Sequence, residues 1–77
     1  MKIVVAMDGD GHFMAAPYTD REKIKDMIYK IQDGDFVANM DSESKEIFED
    51  NLSTSDFEWK NLIYGLEQRG TLEIIEI

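Results

Sequence analysis

The stretch Thr19-Asp20-Arg21-Glu22-Lys23-Ile24-Lys25-Asp26-Met27-Ile28-Tyr29-Lys30-Ile31-Gln32-Asp33-Gly34 reads as an amphipathic helix and sets the frame for the rest. Ile24, Met27, Ile28 and Ile31 stand at i, i+3, i+4 and i+7, which places all four on one helix face. Thr19 and Glu22 have the spacing of a capping box, in which a hydroxyl and a carboxylate satisfy backbone N–H groups reciprocally. Gly34 occupies the position where a left-handed C-cap is usual. Tyr29 falls off the apolar stripe.

Toward the N-terminus, Lys2 to Met7 is rich in Val and Ile and almost continuously apolar, the composition of a strand buried on both faces. Asp8-Gly9-Asp10-Gly11 is a turn signal, and His12 to Ala16 can return as a second strand that Pro17 stops. Toward the C-terminus, Phe36, Ala38 and Met40 alternate with Val37 and Asn39, which predicts a short strand. Ser42 to Asn51 reads as a helix with Ile47, Phe48 and Leu52 turned to the core and Glu43, Glu46, Glu49 and Asp50 to water. Ser55 and Glu58 make a second capping box, followed by the stripe Trp59, Leu62, Ile63 and Leu66. Gly70 ends that helix, and Thr71 to Ile77 is β-prone. This order predicts an α+β fold in one domain, residues 1–77: a small three- or four-stranded sheet with two or three helices packed on one face. Its expected core holds Ile3, Val5, Ile24, Met27, Ile28, Ile31, Phe48, Trp59, Leu62, Ile63 and Leu66.

Seventy-seven residues lie near the lower limit for a self-sufficient core, and with 43% apolar residues and no Cys that core must suffice alone or with a partner subunit. The apolar run Ile3 to Met7 is too short for a signal peptide or a membrane span. A cytoplasmic location is expected. Charge is the unusual property. The net charge is −9, and Asp41 to Glu58 carries seven acids against one base, Lys45. Such a field repels nucleic acid and anionic membranes and attracts basic surfaces.

The residues Ile3-Val4-Val5-Ala6-Met7-Asp8-Gly9-Asp10-Gly11 resemble the first motif of haloacid-dehalogenase-type phosphatases, an apolar strand delivering Asp-x-Asp-Gly. The resemblance implies a nucleophilic Asp and an acid/base Asp at Asp8 and Asp10. It stops after nine residues: His12 stands where that family has Thr or Val, and the chain is too short for the family's doubly wound sheet. The hairpin reading therefore takes precedence, because Asp-Gly pairs supply the positive φ a tight turn needs. A calcium loop beginning at Asp8 would place His12 at position 5, Phe13 at position 6 and Thr19 at position 12, none of which fits. Asp33-Gly34-Asp35 falls at a helix end. With one His and no Cys, a zinc site would need carboxylates for every other ligand. No phosphate loop or Ser-His-acid spacing is present. No catalytic residue, metal or cofactor is assigned, and the expectation is a binding protein, not an enzyme.

Two binding surfaces are expected. One is the acidic face of Asp41, Glu43, Glu46, Glu49, Asp50, Asp56 and Glu58. Glu43, Glu46 and Glu49 follow one side of a helix at about 4.5 Å of rise per step, and such a row can mimic the phosphates of a nucleic-acid strand. The partner would be another protein with a basic surface, a nucleic-acid-binding enzyme or complex, and the chain would not bind nucleic acid itself. In size and charge, though in no motif, the chain is similar to small phage and mobile-element proteins such as anti-CRISPR and anti-restriction inhibitors. The other surface is apolar, with Tyr29 and Tyr64 as anchors. A homodimer, formed through Leu72 to Ile77, is its simplest outcome, with the acidity then serving solubility.

Overall fold

The computed structural model of the chain describes residues 1–7, 10–32 and 37–77. Its centre is β1, Lys2–Met7, flanked on one side by β2, Phe13–Pro17, and on the other by β3, Leu72–Glu76. Both pairings are antiparallel. Val4 pairs with Ala16 and Ile74, and Ala6 with Met14 and Leu72. Strand side chains alternate between faces, so these six share the inward face, where Val4, Ala6, Ala16 and Leu72 are buried.

Three helices of the described chain cover that face: α1, Arg21–Ile31; α2, Ser42–Glu49; and α3, Asp56–Gln68. Helix α1 packs on β1 and β2, α3 packs on β3, and α2 rests on α3. The two stripes legible in sequence meet here. Ile24, Met27 and Ile28 of α1 and Trp59, Leu62, Ile63 and Leu66 of α3 are all buried, and Phe48 of α2 is buried in the same cluster. This is the small α+β fold the sequence predicts.

Several local expectations change. The helix α1 is capped by Asp20, whose carboxylate accepts from the Lys23 N–H, instead of by Thr19. A carboxylate one residue nearer the helix has the same reach and adds a favourable charge at the positive helix end. Ser55 caps α3 as expected, accepting from the Glu58 N–H, but the Glu58 carboxylate turns to the Thr54 hydroxyl instead of closing the box. Helix α2 ends at Glu49, two residues short of the expected Asn51, and leaves Leu52 71% exposed instead of in the core. Pro17 closes β2 from within; it sits on an edge strand, where its missing N–H breaks no ladder.

No strand forms over 37–40. Val37 and Ala38 are helical, and the Met40 N–H donates to the Val37 carbonyl at 3.1 Å, so both buried side chains point the same way. Alternation over five residues could not separate that turn from a strand. Phe36, Gly34 and the two Asp-Gly-Asp segments' Asp8, Gly9, Asp33 and Asp35 lie outside the described residues. Gly11 lies within them, and its φ of +88° is the left-handed turn conformation expected after Asp10.

The largest correction is in β1. Val4 and Ala6 enter the core, while Ile3 and Val5 face outward and are only half-buried. Ile31 is also half-buried. Gly70, φ +80°, closes α3 as read: its N–H donates to the Glu67 carbonyl and that of Thr71 to the Leu66 carbonyl, the Schellman pattern.

Replacing Trp59, 2% exposed, by Ala should cost about 3–5 kcal/mol. Chemical denaturation checks this; a variant within about 1 kcal/mol of wild type would put Trp59 outside the core.

Candidate functional site

The acidic stretch occupies α2, the turn that follows it and the first turn of α3. All seven of its carboxylate residues are exposed, but they divide by what holds them. Asp41 is the N-cap of α2 and accepts from the Ser44 N–H at 3.3 Å. Asp56 is ion-paired with Arg21. Glu49 exposes its side chain while its carbonyl accepts from Lys25 Nζ at 2.9 Å. The remaining four, Glu43, Glu46, Asp50 and Glu58, line one groove of about 290 Å³ together with Ile47, Ser53 and Thr54. Among the described residues no base lines this groove or pairs with any of the four.

A wider depression of about 740 Å³ lies beside Arg21, bordered by Asp20, Glu22, Leu52 and Asp56. There the guanidinium offsets part of the acidity, so the smaller groove carries the stronger uncompensated field. The four groove carboxylates do not converge on a point: among the described residues no three acidic or imidazole groups gather closely enough to hold a metal ion. Spread charge of this kind suits several cationic side chains at once better than a single ion.

What shapes the groove is Arg21, which the sequence reading passed over. Its side chain is only 16% exposed. Nη1 donates to the carbonyls of Asn51 at 2.9 Å and Thr54 at 2.6 Å, Nη2 donates to Asp56, and the guanidinium lies 5.5 Å from the Trp59 ring centre. The turn between α2 and α3 is therefore fastened to the start of α1. The local signal is ambiguous: a base in the first turn of a helix opposes the macrodipole, but Lys23 stands in the same turn and is exposed, so position alone does not single out Arg21. The buried Asn51 Nδ2 and Trp59 Nε1 find no acceptor among the described residues, which leaves the guanidinium as the polar tie of this junction.

The two tyrosines stand apart from the groove. Tyr29 is 39% exposed, with its ring 5.5 Å from that of Phe48, while Tyr64 is 60% exposed on α3. Neither lines the groove. Phe57, 74% exposed, borders a neighbouring cleft with Asp41, Glu43 and Glu58, so an aromatic does accompany the acids, though not one of the two expected.

No protein-family model, curated protein or solved structure shows a significant match to this chain. No helix among the described residues is long and apolar enough to cross a membrane.

Hydrogen bonds from Ser44, first from its hydroxyl and then from its backbone N–H, hold the Asp41 carboxyl below its usual value of 3.8. A carboxyl depressed in the folded state stabilises the fold above its unfolded pKa, and that stability is lost as pH falls through the folded value. Asp41→Ala should therefore lower the melting temperature at neutral pH, with the gap to wild type closing as pH drops below about 4. Thermal melts across that range check it; a gap independent of pH would contradict the capping role.

Proposed function

We propose that this chain is a small acidic protein-binding module that docks on, and occludes, a basic nucleic-acid-binding surface of another protein. The observation that carries this reading is the groove of Glu43, Glu46, Asp50 and Glu58, four carboxylates with no neutralising base among the described residues that line it. Stability accounts for only part of the arrangement: Glu43 and Glu58 sit in the first turns of α2 and α3, where the helix dipole favours a carboxylate, but Glu46 and Asp50 do not. Glu43, Glu46 and Glu49 repel one another at i, i+3 spacing. Glu49 and Asp50 sit at the negative end of α2, whose last turn holds no base; each misplaced charge there costs about 0.3–1 kcal/mol. Solubility needs only net charge, which can be spread without these costs.

A partner that binds nucleic acid offers the matching chemistry: Lys and Arg arrayed to neutralise successive phosphates. The groove's rim, with Phe57 beside it, could engage such a surface without any reaction taking place. In size and charge the closest parallel is with the small anti-restriction and anti-CRISPR inhibitors of phages and mobile elements, and anti-defence is the form of inhibition we infer. The parallel lies in profile alone.

The test is capture from cell lysate at low and high salt, with double-stranded DNA as competitor, by wild type and by the variant Glu43→Gln, Glu46→Gln, Asp50→Asn, Glu58→Gln. Wild type should retain nucleic-acid-binding proteins that salt and DNA release, and the neutralised variant should not. Proteins retained equally by the variant, or unaffected by salt, would sink the reading. Single substitutions are uninformative because each exposed contact is worth only about 0.2–1 kcal/mol.

A further inference from the structure

The outward face of the sheet is apolar and uncovered by any described helix. Alternation along the strands sends Ile3, Val5 and Met7 of β1 to it, flanked by Phe13 and Ala15 of β2 and Ile75 of β3. Met7 and Phe13 are 61% and 67% exposed. A central strand apolar at nearly every position is built to be covered on both sides, and the helices cover one. We propose that a second copy of this chain covers the other, stacking sheet on sheet about a two-fold axis parallel to β1.

Charge favours this location for self-association. Each copy carries −9, so an approach through the helices would bring carboxylates together. On the outward face the registered strand positions hold a single acid within the ladder, Glu73, opposite Val5.

Register favours the axis. Across the sheet run the rows Ala15–Val5–Glu73 and Pro17–Ile3–Ile75. A two-fold axis along the strands lays each row on its own reversed image. Val5 then meets Val5, Glu73 meets the second copy's Ala15, and Ile75 meets Pro17. Glu73 lies on an edge strand over the smallest side chain of the face, with water beside it. An axis across the strands through the Ala15–Val5–Glu73 row would instead set Glu73 on Glu73, and one midway between the rows would set Glu73 on Ile75. Aligned sheets pack about 30° apart, which preserves this pairing of edges.

Area sets the strength. Three strands span about 14 Å and six residues about 20 Å, a face of roughly 280 Å², just under the roughly 300–600 Å² of the largest apolar patches on monomers. Two such faces stacked bury roughly 560 Å², the size of a small, weak interface.

Sedimentation equilibrium over a micromolar to millimolar concentration series tests the proposal, with circular dichroism to verify each fold. Wild type should shift from the chain mass toward twice that mass as concentration rises. Ala15 is exposed on an edge strand, so changes there spare the core. Ala15→Glu sets a carboxylate against Glu73 of the other copy and should weaken the dimer roughly a hundredfold. Ala15→Lys should keep or tighten it, and the groove-neutralised variant should leave it unchanged. A monomeric wild type whose outward face binds a hydrophobic dye would give that face to a different apolar partner and overturn the proposal. So would a dimer indifferent to Ala15→Glu, or one weakened equally by Glu and Lys.

Discussion

Two bases of α1 join it to the rest of the helical layer, Lys25 through the Glu49 carbonyl and, with more bonds, Arg21. Arg21 opens α1, but its bonds are made to residues thirty and more positions later, at Asn51, Thr54 and Asp56. The two carbonyl bonds dominate. Charge-assisted bonds in part-buried surroundings are worth about 1.5–3 kcal/mol each, whereas the pair with Asp56, whose side chain is 86% exposed, adds at most about 1 kcal/mol. The stacked Trp59 ring brings the same tie into the core. Without it the turn from Asp50 to Ser55 would keep only the Lys25 bond to the Glu49 carbonyl at its start and short-range bonds to the Asp50 carbonyl, from the Ser53 and Thr54 N–H groups and the Ser53 hydroxyl. The groove depends on that turn, because Asp50 enters it from one side of the turn and Glu58 from the other.

The layer so fastened gives the protein two unlike surfaces. Helices occupy one face of a three-stranded sheet and turn their acids to water; the opposite face of the sheet is left with Ile3, Val5 and Met7. A chain of this size has too few elements to cover both faces of its own sheet. Its charge and its apolar surplus are thus separated onto different sides. The partner recognition proposed for the acidic groove and the self-association proposed for the sheet would therefore use different residues.

The parts of this arrangement legible in the sequence are those set by local periodicity. The stripes of α1 and α3 follow from 3.6-residue spacing, and the ends of α3 follow from Ser55 and Gly70. The inward face of β1 was not legible, because Ile3 and Val5 are as apolar as Val4 and Ala6. Only the presence of helices on one side separates the two sets. Helical periodicity extended past Asn51 turns Leu52 inward, but the Arg21-held turn interrupts that helix. The acids of α2 could be placed in water from the stripe alone, but their meeting with Glu58 could not. That meeting depends on a long-range tie whose only local trace is a base at the wrong end of a helix dipole.

The dependence of the groove on Arg21 is open to direct measurement by amide hydrogen exchange, comparing wild type with Arg21→Met. The account predicts faster exchange at the Ser53 and Thr54 amides, whose acceptor is the Asp50 carbonyl, while the amides of β1 and the middle of α3 keep their protection. Unchanged exchange at Ser53 and Thr54 would show that the turn holds itself, and would contradict the claim that Arg21 shapes the site.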